Sequence, residues 1–424
     1  MTSLALPAPR RSALAARLSL LLLLPMFLQS FHYVVDVPAL YMLSKAWPLL
    51  TMPLALLGLM QRLPYAVPLM ALLAYTATVT PVMTLLYFGQ DYPSALTGVL
   101  KILPFTYYFS LGWLLHRLRP EPEDLEWAFT LLGALTLLLL ALLWIVVPAG
   151  AYWDGSTGAE VSKLFLREAE RGYRITLPMV FGIIFIFLQA RAALRRGPLL
   201  RLLLPLGAVA LLVIAFKQRV VIGGILALLI FILAAEGGLR RRLLLAGGLA
   251  LAGVAVLLLA AGVLPLELDQ LGGSLTARQF TTTLALDFLA QNPLRWIFGA
   301  GALTRASSIS FQEWFAAPNF YLVDIGWLGV VFEYGLVGGG MILAVYLGTL
   351  LLGQRTPSAP NGALTPALRD YACFLLLTSP ILSVVWAPGE VCSLLAIFVY
   401  LRSRLGQAPD RGGTRIYRSG EGWR

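Results

Sequence analysis

The chain has 424 residues, of which 59% are hydrophobic and only 12% are charged, and its formal net charge at pH 7 is +11. This balance excludes a soluble domain and indicates a polytopic membrane protein. The basic excess lies in short loops and near the C-terminus, where it suits contact with anionic lipid better than contact with nucleic acid. We therefore expect an all-α membrane protein that binds no nucleic acid.

Apolar runs of roughly 15–22 residues predict about twelve membrane-spanning helices. In chain order the predicted spans are 18–35, 47–61, 65–84, 96–115, 127–147, 175–190, 202–216, 220–235, 243–263, 335–353, 366–386 and 388–402. Together they make residues 1–403 one membrane domain. Residues 404–424 are rich in Gly and Arg and lack an apolar pattern, so we expect a disordered, basic tail.

Basic turns between alternate spans give the predicted orientation, because cationic turns favour the cytoplasmic side of a membrane. These turns contain Arg62, Arg117, Arg119, the runs 191–201 and 237–242, and Arg355. Both termini are then cytoplasmic. Two segments on the opposite, outer side, 148–174 and 265–334, are longer than simple connectors, which indicates structured and functional loops.

The stretch 319–334 at the end of the second outer loop is apolar enough to be a span itself. A span here would place Arg355 on the outer side. We instead predict a short amphipathic helix that lies at the outer interface and enters the next span at Gly335. An aromatic residue such as Trp327 suits that position.

Arginines gather on the outer side against the usual bias, and the anion most available to them there is a lipid-linked phosphate. They are Arg167, Arg171, Arg174, Arg219, Arg278, Arg295 and Arg305. In the first outer loop Lys163, Arg167 and Arg171 recur at every fourth position, which predicts one face of a helix that ends at Gly172. We interpret Lys163 and Arg167 as solvated residues, and Arg171 and Arg174 as ligands at the level of the lipid head group.

Two further cations are predicted to face the interior of the bundle. Arg219 lies in the short turn 217–219, and charges at the edge of a membrane usually face a cavity rather than lipid. Lys101 lies about one turn inside a span and is expected to point into the same cavity. Arg295 and Arg305 are expected to be ordinary loop residues.

The second outer loop contains an amphipathic pattern over 278–290 that predicts a helix. Arg278 begins this helix, and the Asn-Pro pair at 292–293 ends it. The Gly-Ala-Gly segment 299–301 permits either a tight turn or a close approach of two backbones. We expect Arg278 to bind the ligand rather than to be a surface residue.

Asp324 lies in an apolar stretch, where a lone carboxylate is unfavourable unless it is paired. It is either a proton acceptor or the ion-pair partner of one of the outer arginines. Glu313 is a second candidate for proton acceptor. No Asp-x-Asp pair occurs, so a divalent metal holding a diphosphate is not expected, and cationic side chains must bind that group.

Four stretches resemble the O-antigen polymerase and ligase superfamily of bacterial inner-membrane glycosyltransferases. They are RGYRITLPMVFG (171–182), KQRVVIGGILALL (217–229), ARQFTTTLALDFLAQNPLRWIFGAGA (277–302) and NFYLVDIGWLGVVFEYGLVG (319–338). In ligases of this superfamily the loop exit carries a His-Asn pair. The matching place here reads Pro318-Asn319, and neither long loop contains a histidine, so the resemblance favours a polymerase.

The resemblance implies a GT-C-like fold in the inner membrane and transfer of a glycan from undecaprenyl diphosphate to a lipid-linked repeat unit, without metal or cofactor. Arg171, Arg174, Arg219, Arg278 and Lys101 would bind the diphosphate. Arg278 would also take part in catalysis, together with Asp324 or Glu313 as proton acceptor. The partners implied are the undecaprenyl-diphosphate-linked oligosaccharide and the lipid bilayer, and a chain-length regulator is an optional third.

Three other functions remain open on the sequence. A ligase would move finished polymer onto an acceptor such as lipid A core. A flippase or exporter of lipid-linked glycans would also need a cationic cavity, but with charge on both sides or with helices broken at the midplane. A peptidoglycan-type polymerase shares the chemistry, but none of its loop patterns is found. The polymer itself, whether O-antigen, capsule or exopolysaccharide, is not specified.

Overall fold

Helices form most of the described chain. The structure is a computed structural model that describes residues 13–32, 34–61, 63–153, 164–168, 172–196, 199–236, 272–304, 307, 309–359, 362–382 and 388–406. The helices, in chain order, are α1 (Ala13–Phe27), α2 (Pro38–Leu50), α3 (Met52–Met60), α4 (Ala66–Phe88), α5 (Tyr92–Leu96), α6 (Tyr107–Leu118), α7 (Pro122–Val146), α8 (Val180–Arg196), α9 (Leu203–Leu211), α10 (Arg219–Glu236), α11 (Gly272–Ala290), α12 (Pro293–Phe298), α13 (Phe311–Trp314), α14 (Gly326–Arg355), α15 (Leu364–Thr378) and α16 (Pro388–Leu405).

Four helical stretches are long and apolar enough to cross a membrane, and a bent pair brings the number to five if it counts as one span. The four are Pro38–Met60, Ala66–Phe88, Pro122–Val146 and Leu322–Arg355. Shorter apolar helices cover Leu14–Phe27, Leu200–Phe216 and Arg219–Ala234. A mainly helical protein with several candidate membrane-crossing helices is therefore confirmed. The number twelve stays a prediction, and the predicted span 243–263 lies outside the described residues.

The predicted span 96–115 is not a straight helix. Short 3₁₀ turns, Thr97–Lys101 and Leu103–Thr106, separate α5 from α6, and the two halves of this stretch meet at an angle of 51°. Pro104 lies in the first turn of the second half and has no N–H to donate to the preceding turn. The ring of a proline also clashes with the preceding helical turn, so the helix breaks here.

A buried ion pair and a buried hydrogen bond to a carboxylate lie inside the helical bundle. Arg191 on α8 donates from Nε and Nη2 to the two carboxylate oxygens of Asp370 on α15, each at 2.7 Å, and both side chains are at most 8% exposed. Tyr371 donates its hydroxyl to Glu390 on α16 at 2.5 Å. Arg191 was predicted in a cytoplasmic turn; it lies instead inside α8, which continues to Arg196, and its predicted side of the membrane stays a prediction.

The first outer loop contains a β-hairpin, so the helix predicted over this stretch is wrong for its described part. Strand β1 (Phe165–Glu168) pairs antiparallel with β2 (Gly172–Ile175). Aromatic rings explain the extended form: Tyr152 packs on Phe165 and on Tyr173 across the two strands. Lys163 and Arg171 lie outside the described residues.

The second outer loop folds as short helices around a cluster of aromatic residues. α11 begins at Gly272, so Arg278 lies inside the helix. The prediction that Arg278 begins this helix is therefore wrong. Asn292 does not merely end α11, because its side chain accepts a hydrogen bond from the backbone N–H of Leu294 and caps α12. The buried aromatic members of the cluster are Phe88, Phe288, Phe311, Phe320 and Phe332.

The predicted interfacial helix and the span after it form one candidate membrane-crossing stretch, Leu322–Arg355, which bends at Gly335; the interfacial position stays a prediction. A 3₁₀ turn, Leu322–Ile325, leads directly into α14, and Gly335 has a non-helical backbone with φ +68° inside that helix. An L residue rarely adopts this conformation, so the bend depends on glycine. The segment before the bend, 319–334, carries Asp324, one of the residues predicted for the site.

Candidate functional site

The hairpin holds Arg174 close to a carboxylate. Arg174 on β2 forms an ion pair with Glu168 on β1, with 2.6 Å between Nη2 and Oε1. The Arg174 side chain is 14% exposed and that of Glu168 is 34% exposed. The guanidinium group is therefore fixed at the surface of the hairpin rather than extended into solvent. Arg171, which was predicted to bind the same ligand, lies outside the described residues.

Arg219 and its neighbour Lys217 have different surroundings, although they share one turn. Arg219 begins α10, is exposed, and forms no ion pair with any described residue. Lys217 has a left-handed backbone with φ +56° and lies with its Nζ 5.4 Å from the centre of the Trp144 ring. Burial lowers the pKa of Lys217 from its ordinary value. Lys217 was not among the predicted site residues, since only folding brings it onto the Trp144 ring.

Arg278 and Asp324 lie within electrostatic range of each other in the second outer loop, but they form no ion pair. Thr281, one turn after Arg278, donates its hydroxyl to the backbone oxygen of Asn319 at 3.2 Å, which fixes this face of α11 against the segment before α14. Arg278 lies close enough to interact electrostatically with the Asp324 carboxyl group. The Nε of Arg278 is buried and forms no hydrogen bond within the described parts of the chain. Such a donor is unfavourable unless a ligand accepts from it.

Glu313 lies in a local hydrogen-bonded turn. Its carboxylate accepts from both the backbone N–H and the hydroxyl of Ser310, each at 2.7 Å, and the Ser310 hydroxyl accepts in turn from the Glu313 N–H. This reciprocal arrangement caps the N-terminus of α13. The hydrogen bonds from Ser310 lower the pKa of Glu313, which makes the carboxylate a weaker base than a free one.

Lys101 is engaged by a carboxylate that the sequence analysis did not single out. Its Nζ lies 2.6 Å from Oε1 of Glu333, whose side chain is only 8% exposed, whereas that of Lys101 is 32% exposed. The Gly-Ala-Gly segment packs directly on the same stretch of α14: Ala300 donates to the backbone oxygen of Phe332, and Gly301 donates to that of Glu333. The segment is thus a close approach of two backbones.

Arg295 is a packing residue. Its guanidinium carbon lies 3.9 Å from the centre of the Phe288 ring and 4.5 Å from that of Tyr87, and its Nη1 donates to the Phe288 backbone oxygen at 2.7 Å. These contacts hold α12 on the aromatic cluster. Arg305 lies outside the described residues.

The arrangement suits binding of an anion next to a carboxylate. Among the residues that the structure describes, no group of three or more His, Cys, Asp or Glu side chains could hold a metal ion. Arg278 on α11 has a buried Nε without a hydrogen-bond partner in the described parts of the chain, whereas Arg174 on the hairpin is paired with Glu168. Asp324 adds a carboxylate within electrostatic range of Arg278. The chain matches no family model and no curated protein sequence.

Proposed function

We propose that this protein is a metal-independent polysaccharide polymerase of the bacterial inner membrane. In this proposal about twelve spans in a GT-C-like fold carry the outer loops, and both termini are cytoplasmic. The enzyme transfers a glycan from undecaprenyl diphosphate to a lipid-linked repeat unit at the outer face. The observation that carries the proposal is the buried Nε of Arg278, which has no hydrogen-bond partner among the described residues and lies within electrostatic range of Asp324.

The two side chains have complementary roles in such a transfer. A hydroxyl of the acceptor attacks the anomeric carbon of the donor, and the bond between that carbon and the diphosphate oxygen breaks. Asp324 accepts the hydroxyl proton. Arg278 donates to the departing lipid diphosphate, and each charge-assisted contact of this kind is worth about 1.5–3 kcal/mol.

The remaining predicted residues support the proposal unequally. Arg174 is paired with Glu168, so it binds a lipid head group only if that carboxylate is displaced, and it supports the proposal weakly. Arg219 is exposed and available, but nothing described orients it. Lys101 is already neutralised by Glu333, and Glu313 is occupied as a helix cap, so we assign neither to the reaction. Asp324 is therefore the preferred proton acceptor.

A flippase for the same lipid-linked glycan is the second candidate. Transporters often contain broken helices and buried charges within the membrane. The 51° bend between Lys101 and Leu103 is a feature of this kind, and so is the buried pair of Arg191 with Asp370. A ligase is less well supported, because the histidine expected at the loop exit is absent from the sequence.

The test is a deletion strain complemented with Arg278→Ala or Asp324→Asn, with its lipid-linked glycans and surface polysaccharide sized by mass spectrometry. We expect polymer yield to fall by about 10²–10³-fold, since loss of one preorganised donor has effects of that order. Single repeat units should still reach the surface. Gln279→Ala, an exposed neighbour on α11, is the matched control and should support normal polymer.

Other patterns would contradict the proposal. Full-length polymer stranded on the lipid carrier would identify a ligase. Single units trapped on the cytoplasmic leaflet would identify a flippase. Normal polymer in both variants would remove Arg278 and Asp324 from the site.

A further inference from the structure

Arg295 uses only part of its guanidinium group in packing. The group lies over the rings of Phe288 and Tyr87. Its Nη1 donates to the Phe288 backbone oxygen and to Oε1 of Gln291, each at 2.7 Å. The Nε of Arg295 is buried and has no hydrogen-bond partner among the described residues, and Nη2 has none among them either. The edge of the guanidinium group that carries Nε and Nη2 is therefore unoccupied.

Tyr87 adds a second unpartnered polar atom to the same contact. Its hydroxyl is buried and forms no hydrogen bond within the described parts of the chain, although the centre of its ring lies only 4.5 Å from the Arg295 guanidinium carbon. A buried polar group without a partner is unfavourable, and two of them on touching side chains indicate a ligand that completes both. Both groups can donate, and one is cationic, so the ligand that fits them is an anion with several acceptor oxygens.

The pair lies where a lipid head group is expected. Tyr87 is the residue before the last of α4, and Ala66–Phe88 is one of the stretches long and apolar enough to cross a membrane. Tyrosine is enriched at the level of the head groups, with its hydroxyl toward the polar side. The neighbouring side chains of Leu86 on α4, and of Leu294 and Ile297 on α12, are exposed and apolar, which suits contact with acyl chains.

We propose that Arg295 and Tyr87 form a binding site for the phosphate group of a membrane lipid. The Nε and Nη2 edge of a guanidinium group donates two parallel hydrogen bonds that match two oxygens of one phosphate. The Tyr87 hydroxyl donates a third. Contact with two aromatic rings holds the guanidinium group in place before the ligand arrives, so little side-chain freedom is lost on binding. The site goes beyond the proposed glycan transfer, because a phospholipid and a lipid-linked diphosphate both carry the required group.

This site is separate from the one proposed at Arg278. Arg295 contacts Phe288, which lies ten residues after Arg278 on α11. A helix rises about 1.5 Å per residue, so the two arginines act at levels about 15 Å apart along α11. One diphosphate is too short to contact both. The two sites therefore bind different phosphate groups, and loss of one leaves the other in place.

The experiment is native mass spectrometry of the purified full-length protein, titrated in detergent with three lipids. Undecaprenyl diphosphate and dioleoyl phosphatidylglycerol carry phosphate, and dioleoylglycerol does not. The variants are Arg295→Gln and Tyr87→Phe, the second of which removes the hydroxyl and keeps the ring. Arg167→Gln is the matched control, because Arg167 also lies over a tyrosine ring, that of Tyr173, but is exposed on the hairpin. The method counts bound molecules, so binding elsewhere does not hide a loss at this site.

We expect Arg295→Gln to weaken one binding step of a phosphate-bearing lipid by about tenfold or more, and Tyr87→Phe to weaken the same step by about threefold. Tyr87→Phe should leave the thermal midpoint unchanged or raise it, because it removes a buried hydroxyl that has no partner. Dioleoylglycerol should bind all variants equally, and Arg167→Gln should bind like the wild type. A loss confined to one of the two phosphate-bearing lipids identifies that lipid as the ligand, and a loss for both identifies lipid phosphate in general.

Three results would overturn the inference. The first is an affinity of both variants within about twofold of wild type for both phosphate-bearing lipids, which leaves water as the partner of the two groups. The second is an equal loss for dioleoylglycerol, which indicates an apolar surface only. The third is normal binding by Tyr87→Phe together with a lowered thermal midpoint of Arg295→Gln, which indicates packing only. Polymer yield of Arg278→Ala tests the polymerase proposal separately, so either proposal can fail while the other stands.

Discussion

Lys101 illustrates how a charge predicted to bind substrate can be satisfied within the protein. Its position inside an apolar stretch is typical of a functional residue, and the same position is equally typical of half of an ion pair. In the folded protein Lys101 forms an ion pair with Glu333. Glu333 lies far along the chain and was not distinguished from other carboxylates in the sequence. The two partners differ in exposure, 32% for Lys101 and 8% for Glu333, and this difference makes the pair testable.

We predict that Lys101→Met destabilises the protein more than Glu333→Gln. Removal of the lysine leaves a buried carboxylate without its partner, a loss of about 3 kcal/mol, whereas removal of the carboxylate leaves a lysine that can reach water. The double variant should recover most of the stability. Thermal unfolding of the four proteins in one detergent measures this cycle, and a larger effect of Glu333→Gln would contradict it.

The β-hairpin is an element whose type was predicted wrongly, because the sequence indicated a helix where two strands form. Cations at every fourth position fit a helix, and the stretch 163–174 lacks the regular alternation of apolar and polar residues that would have predicted strands. Contacts from outside the stretch decide between the two forms, because Tyr152 packs on rings of both strands. The helix at 272–290, by contrast, was predicted correctly in type, since its apolar pattern is longer, although its start was placed too late.

The Gly-Ala-Gly segment is the second element whose role depends on its neighbours. Gly301 has φ +100°, and a Cβ there would lie 2.2 Å from the hydroxyl oxygen of Thr84 and 2.5 Å from its backbone nitrogen. Gly299 and Gly335 approach each other in a similar way, with a Cβ on Gly299 only 2.6 Å from the Gly335 nitrogen. The second outer loop is therefore joined to α4 and α14 by backbone contact that no side chain can replace.

We predict that Gly301→Ala loses most polymer-forming activity and lowers the thermal midpoint. The left-handed backbone disfavours alanine by about 1–2 kcal/mol, and the contact with Thr84 backbone adds to this. Gly340→Ala is the matched control, because a Cβ on Gly340 meets nothing within 4 Å and alanine favours the helix. Equal stability of the two variants in a thermal shift assay would show that the close approach is dispensable.

At the scale of the whole molecule, the apolar pattern located the helices well but not their lengths. The last two predicted spans correspond to α15 and α16, which contain Asp370 and Glu390 within buried surfaces. α15 has 15 residues and is only about 22 Å long, shorter than a typical hydrocarbon core of about 30 Å. A helix that is surrounded by other helices needs neither full length nor uniform hydropathy. Pairings such as Arg191 with Asp370 arise from that packing, and the hydropathy pattern of the sequence cannot predict them.

The predicted orientation has consequences for the entire proposal, because Arg174, Arg219 and Arg278 must all lie on the outer side. We predict that a thiol introduced as Thr283→Cys on α11 reacts with a membrane-impermeant maleimide in spheroplasts, and that Gln354→Cys at the end of α14 does not. Both positions are exposed, and the native Cys373 and Cys392 are first replaced by alanine. Lysis should make both thiols reactive, which controls for local access. Labelling of Gln354→Cys alone in intact spheroplasts would place the cations in the cytoplasm, where the positive-inside bias explains them without a lipid-linked ligand.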